Sequence, residues 1–421
     1  MKNIKDILRQ IPILVTLYRQ IKYLFHRYFL KFQFRNHTIN KLSFLSSLFY
    51  SPQENSFFGY YNITPANNKG DVVFCSVKTN EDRGSLYEPV KICIKSDNKV
   101  NVIAESKAWN WQQGCMLQWL GGSDEVIIYN DYFPDGDNYV SKILNIKTGG
   151  LKTICKPVYA VSKAGDFALT LNFDRLALMR PDYGYFNRKI CLNDLPNYLQ
   201  DGIWYVDLMK NVCKLIISLE QLIAYKPSNT MKDAEHKVNH IDIAPDGNRF
   251  VFLHRWIGPQ GRFMRLLTAN CIDGSNLYYL TGDIMVSHNC WWTKQDIISF
   301  CRMSDGRNRY VHFKDLNGFV EVIGGTDFHN DGHPSVSLDG RWMLTDEYPN
   351  STRFSNLFLY DLINGNKILL GKFFQPLKFN DEKRIDLHPK WIPDGKQVFF
   401  ESGHTGKRQL YQMNVSQIVN E

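Results

Sequence analysis

His388-Pro389-Lys390-Trp391-Ile392-Pro393-Asp394-Gly395-Lys396, continued by the apolar run Val398-Phe399-Phe400, carries the fold signal of this chain. The stretch recurs as His333-Pro334-Ser335-Val336-Ser337-Leu338-Asp339-Gly340-Arg341 and as His240-Ile241-Asp242-Ile243-Ala244-Pro245-Asp246-Gly247-Asn248, each again followed by an apolar run. A histidine opens a short strand. Asp-Gly then makes a tight turn, because glycine adopts positive φ without a Cβ clash, and an aromatic-rich strand returns antiparallel. A unit of this kind repeated along a chain is the front half of a four-stranded propeller blade.

Working outward, seven such units can be counted. The first is Phe58-Gly59-Tyr60-Tyr61-Asn62-Ile63-Thr64-Pro65, the second Cys115 to Leu120, the third and weakest Val158 to Lys163. The His240 unit is fourth, His288-Asn289-Cys290-Trp291-Trp292-Thr293 fifth, and His333 and His388 head the sixth and seventh. The expected fold is therefore all-β, a seven-bladed β-propeller over residues 56–421, preceded by a separate segment over residues 1–45. The span Arg180 to Glu235 is too long for a blade connection. It is expected to hold an insertion, with Ile203-Trp204-Tyr205-Val206 and Leu215-Ile216-Ile217 completing the third blade.

The 421 residues, 44% of them apolar and 14% aromatic, supply a closed repeat array with one continuous core. Nine cysteines without a C-x-x-C pair lie mostly in strand-like settings such as Val73-Phe74-Cys75. They read as buried free thiols in a reducing, cytoplasmic compartment. The net charge of +8 lies entirely between Met1 and Lys41, which hold nine basic residues and one acid, Asp6. Leu14, Leu17, Tyr18, Ile21, Phe25, Tyr28 and Phe32 recur there at helical spacing. The pattern predicts an amphipathic helix, docked either on an anionic membrane surface at its inner face or on protein, outside the propeller or across a dimer contact. The uncharged run Ile11 to Tyr18 falls far short of the ~20 residues of a membrane-spanning helix. The remainder of the chain is electrically neutral and has no basic stripe, which argues against nucleic acid as a partner. Nor does the chain contain a phosphate-binding loop, a G-x-S-x-G elbow, an H-E-x-x-H helix or an EF-hand loop.

In a propeller the innermost strand of each blade lines the central channel, so equivalent positions form a ring. His240, His288, His333 and His388 occupy one repeat position in four successive units. Imidazoles converging on a polar channel suit a divalent transition metal. Asn330, three residues before His333, adds an amide oxygen to the candidates, and Asp331 and Asp386 are carboxylates placed to orient imidazoles. The plain alternative is that each His-Pro ends a loop and bonds the backbone of a neighbouring blade.

The motifs Phe58-Gly59-Tyr60-Tyr61, Trp109-Asn110-Trp111-Gln112-Gln113-Gly114, Arg180-Pro181-Asp182-Tyr183-Gly184-Tyr185, His254-Arg255-Trp256, Val286-Ser287-His288, Gly332-His333-Pro334-Ser335 and Asp386-Leu387-His388-Pro389, in this order, resemble the oligogalacturonate lyase family of seven-bladed propellers. The resemblance runs from about residue 56 to the C-terminus. It implies that His288, His333 and His388 hold a divalent metal, manganese in that family, with Asn330 in the place of the family's glutamine, and that His240 is the base. The implied reaction is β-elimination on a uronate-containing oligosaccharide, with the metal neutralising charge as the proton next to the carboxylate leaves. Arg180 is the further catalytic candidate. Arg255, Trp109 and Gln113 are the substrate-contact candidates, the arginine through its bidentate fork and the tryptophan by stacking on a sugar face. Asn62 departs from the aspartate expected of relatives. The basic N-terminal segment lies outside the resemblance and favours a second reading, a membrane-associated propeller of surface-polysaccharide assembly that binds glycan or transfers sugars.

Overall fold

The computed structural model describes residues 54–97 and 99–420, together with Ser46–Leu48 and four positions of the preceding segment, Leu17, Gln20, Ile21 and Leu24. Among them, seven antiparallel four-stranded sheets succeed one another as blades. The innermost strands are Asn55–Phe57, Gln118–Trp119, Ala160–Val161, Glu235–Ile243, Val286–Trp291, Ser335–Val336 and Lys390–Trp391. The seven expected units are these seven blades.

The repeat behaves as its chemistry demands. Gly247, Gly340 and Gly395 have φ of 76°, 75° and 66°. Each glycine donates its N–H to the carbonyl three residues earlier, at Ala244, Ser337 and Ile392, closing the Asp-Gly turn. The returning strands then bury their apolar residues between blades. Val398 and Phe400 pack with Trp342, Leu344 and Leu357 of the preceding blade, and Phe399 packs with Phe57, Phe74 and Ile92 of the first.

Closure of the ring uses two devices. Ser46–Leu48 pairs antiparallel with Gln409–Asn414 and becomes the outermost strand of the seventh blade, so the propeller begins before residue 56. Inside, the fully buried Glu401 accepts an N–H from Phe58 and from Gly59 at 3.2 and 3.1 Å and pairs with Arg408 at 2.7 Å. Lys390 Nζ donates to the Gly59 carbonyl at 2.9 Å. A buried carboxylate persists only with such partners.

The insertion begins with the helix Phe173–Met179, capped by the Asn172 side chain, and blade three resumes at Gly202–Asp207 and Val212–Ser218 as expected. Arg175, buried, holds Asp201 at 2.6 Å, and Lys237 Nζ donates to the Met179 carbonyl at 3.0 Å, which ties the helix end to blade four.

The cysteines require a correction. Cys155, just after the outer strand Leu151–Ile154 of blade two, forms a disulfide with Cys213 in the outer strand Val212–Ser218 of blade three. Of the rest, Cys75, Cys93, Cys115, Cys271, Cys290 and Cys301 are buried free thiols as expected, and Cys191 is exposed. Among the described residues no helix is long and apolar enough to cross a membrane. The helical expectation for residues 1–45 lies almost wholly outside the described residues.

Candidate active site

The four histidines do converge. His240, His288, His333 and His388 follow one another around the channel in blade order, with ring centroids 5.3, 4.1 and 4.3 Å apart. Each stands two residues ahead of a residue paired in the inner strand, namely Asp242, Cys290, Ser335 and Lys390. His240 and His388 reach this place with φ of 52° and 43°, backbone that side chains other than glycine rarely adopt. Blade one sends Tyr60 into the arc. Its hydroxyl lies 2.8 Å from His240 Nδ1, and its ring is 5.1 Å from that of His388.

Three of the four imidazoles, those of His240, His288 and His333, are bonded at Nδ1. His333 Nδ1 bonds the Asp346 carboxylate at 2.8 Å, and the same carboxylate accepts the backbone N–H groups of His333 and His388. Burial pushes the Asp346 carboxyl up to about 7, against those N–H groups. His288 Nδ1 lies 2.9 Å from the Gly332 carbonyl and 3.2 Å from Asp331. Burial holds His240, His333 and His388 well below the ordinary imidazole range, assisted at His240 by Arg255 and at His333 by His288. These three are neutral imidazoles near neutral pH, the form that binds metals or accepts protons.

His333, His388 and Asp386 bring one ligand atom each within 4.8 Å of one another, all buried. His333 Nε2 and both ring nitrogens of His388 are buried without a hydrogen-bond partner. Orphaned buried nitrogens cost about 1–3 kcal/mol each, so a set of them beside a carboxylate fits a bound cation. Asn330 does not join this set. It is solvent-exposed, because the loop before Gly332 turns its side chain outward, and Asp386 supplies the nearby oxygen instead.

A cavity of about 780 Å³ opens beside the arc, lined by His240 and His288 with Arg180, Arg255, Arg384 and Tyr348. Arg180 and Arg255 thus both line the cavity. The Nε of each is buried without a partner. Arg384 is anchored to Asp182 at 2.7 Å and to Asp386 at 2.9 Å. Four arginines, Arg180, Arg255, Arg353 and Arg384, therefore line the cavity together with the carboxylates Asp331 and Asp381.

Trp109 is not on that wall. It is 1% exposed, packs on Phe57 and Trp111 and donates to the Glu88 carbonyl, so it is core rather than a sugar platform. Gln113 also lies out of the cavity, donating to Tyr159 at 2.8 Å, and Tyr159 in turn accepts the His240 backbone N–H at 3.1 Å. It supports the His240 backbone and does not line the substrate space. Tyr60, Asp346, Tyr348 and Arg384 carry no assigned role in the sequence reading. The signal for Asp346 was a carboxylate closing the apolar strand Trp342–Asp346.

These features define a class, a seven-bladed propeller with an imidazole-rich, arginine-flanked cavity at its channel. No family model matches the chain, and no curated protein matches it. Among solved structures, an oligogalacturonate lyase in complex with manganese aligns with a TM-score of 0.62 at 15% identity over 91% of this chain and 96% of its own. The oligogalacturonate lyase of Vibrio parahaemolyticus aligns with a TM-score of 0.60 at 13% identity, covering 89% and 95%. A puromycin-hydrolyzing peptidase of Mycobacterium tuberculosis aligns with a TM-score of 0.51 at 8% identity, covering 90% of this chain and 53% of its own. At such identities the likeness is one of fold.

Proposed function

We propose that the protein is a metal-assisted lyase that cleaves uronate-containing oligosaccharides by β-elimination. The observation that carries this reading is the set of buried, unpartnered nitrogens of His333 and His388 beside Asp386, adjoining a cavity whose wall holds Arg180 and Arg255. The near-complete overlap in fold with oligogalacturonate lyases supports it.

In this reading His333, His388 and Asp386 hold a divalent cation, with His288 beside them. Two imidazoles and a carboxylate suit manganese among other divalent ions. When bound, the cation supplies positive charge that stabilises the carboxylate as the adjacent proton departs. Arg180 and Arg255 orient substrate carboxylates, and burial of the arc limits the access of water. His240, the base implied by the family resemblance, faces the same cavity. The test is ultraviolet absorbance of the unsaturated uronate formed from oligogalacturonates and other acidic glycans, with and without added manganese. Metal-dependent product is expected. Metal-replete protein inert on all of them overturns the reading.

A second reading, a membrane-associated propeller of surface-polysaccharide assembly, is favoured by one observation. Leu17, Ile21 and Leu24 are 48, 57 and 47% exposed, and Gln20 between them lines the cavity. An apolar stripe in a basic segment matches an anionic bilayer and sets the cavity close to its surface.

A further inference from the structure

The capacity of the cavity to bind acids is unevenly spread along its wall. Arg180 of the insertion and Arg255 of blade four each keep a buried Nε without a partner. Their other polar side-chain contacts are long, 3.6 Å from Arg180 to Asp182 and 3.5 Å from Arg255 to the Val286 carbonyl. Burial and the charge of Arg180 also hold the Arg255 guanidinium below its ordinary range. An anion shared by the two relieves both.

The blade-six side of the cavity is built otherwise. It is formed by the turn after the strand Trp342–Asp346 and by the link that leads from Lys367–Phe374 to blade seven. Arg353 stands there, but its guanidinium is already occupied. Its Nε donates to the Gln375 carbonyl at 3.1 Å, and Nη2 meets Gln375 Oε1 at 2.9 Å and the Pro376 and Phe379 carbonyls at 3.2 and 2.6 Å. Arg384 is likewise held by Asp182 and Asp386. The groups that remain for a ligand on this side are neutral: the Ser351 hydroxyl, the amides of Asn350 and Asn380, and the apolar surfaces of Pro349 and Leu377. Asn350 Oδ1 already accepts the N–H groups of Thr352 and Phe354, which leaves its NH2 to donate. Asp381 adds negative charge to the same wall.

The cavity volume of about 780 Å³ lies within the ~300–1,000 Å³ of sites for drug-sized ligands, so more than one sugar ring fits. A second carboxylate set against the blade-six wall gives up water without gaining a cation. A neutral ring loses little there, because amides and a hydroxyl meet its hydroxyl groups while Pro349 and Leu377 cover its C–H face. We propose, as a refinement that rests on the lyase reading, that the cavity holds one uronate at Arg180 and Arg255 and an uncharged sugar against the blade-six wall. The substrate is then a glycan in which uronate alternates with neutral sugar, not an unbroken run of uronates.

The test offers metal-loaded, full-length protein three 4-linked hexasaccharides: galacturonate throughout, galacturonate alternating with rhamnose, and glucuronate alternating with N-acetylglucosamine. The absorbance of the unsaturated uronate gives kcat/KM for each. One of the alternating substrates should exceed the homouronate by at least about 10-fold. Ser351→Arg and Leu377→Arg each add a cation to the blade-six wall, away from the histidine arc, and should narrow that preference by about 10-fold. Melting temperatures near that of the wild type identify the variants as folded. A homouronate cleaved as well as both alternating substrates, or a preference unmoved in both folded variants, overturns the inference while the lyase reading stands. No unsaturated product from any of the three overturns the lyase reading and the inference with it.

Discussion

At the scale of single residues, Asp346 organises most of the arc. One carboxylate fixes the His333 ring and the backbone of both His333 and His388. Partners of this kind that orient a ligand are worth roughly 10–100-fold in metal affinity, and Asp346→Asn is expected to lose that much in a competition titration with a chelator. His388→Ala removes a ligand itself, so metal content by elemental analysis should fall below that of Asp346→Asn. His240→Ala should keep its metal and lose turnover. Equal metal content in all three variants would contradict the assignment of His388. The histidine positions were legible in the sequence because they share a repeat position. Asn330 and Trp109 were misread for a common reason. Spacing along a chain does not tell whether a loop side chain turns outward or whether an aromatic residue faces a neighbouring blade.

At the scale of elements, the join between the first and seventh blades is the vulnerable one. Glu401 sits between Arg408, Lys390 and two peptide N–H groups, all buried. Removing its charge leaves Arg408 uncompensated, so Glu401→Gln should destabilise the protein by about 3–5 kcal/mol in urea unfolding. A change under 1 kcal/mol would mean that the ion group contributes little to closure. Truncation to residue 54 removes the outer strand Ser46–Leu48 and should lower the melting temperature relative to truncation to residue 46, which keeps it. That strand was illegible in the sequence because its three residues carry no turn and no alternation. Its pairing is created by the last blade. In blade four, His254 Nε2 lies 2.9 Å from His236 Nδ1, and Arg265 donates to His254 Nδ1. Burial pushes His236 down to about 4 and His254 well below its ordinary range. An unfolded chain binds protons at these histidines from about pH 6.5 downward and the folded one does not. Stability should therefore fall as pH drops from about 6.5 to about 4, and His236→Gln should flatten that slope in thermal melts.

At the scale of the whole molecule, the propeller supplies a rigid ring and leaves chemistry to one arc of it. Four adjacent blades contribute histidines, the insertion between blade-three strands brings Arg180, and blade four brings Arg255. The basic segment accounts for all of the net charge, and the expected consequence is sedimentation with anionic liposomes that weakens as salt rises. Unchanged sedimentation after deletion of residues 1–41 would remove the membrane from the account. The central claim, elimination rather than another cleavage, is met most directly by mass spectrometry of the products from metal-loaded protein and an acidic oligosaccharide. The masses of the two fragments should sum to that of the substrate, one of them carrying the new double bond. Fragments that together have gained one water, or no fragments from any uronate offered, would contradict it.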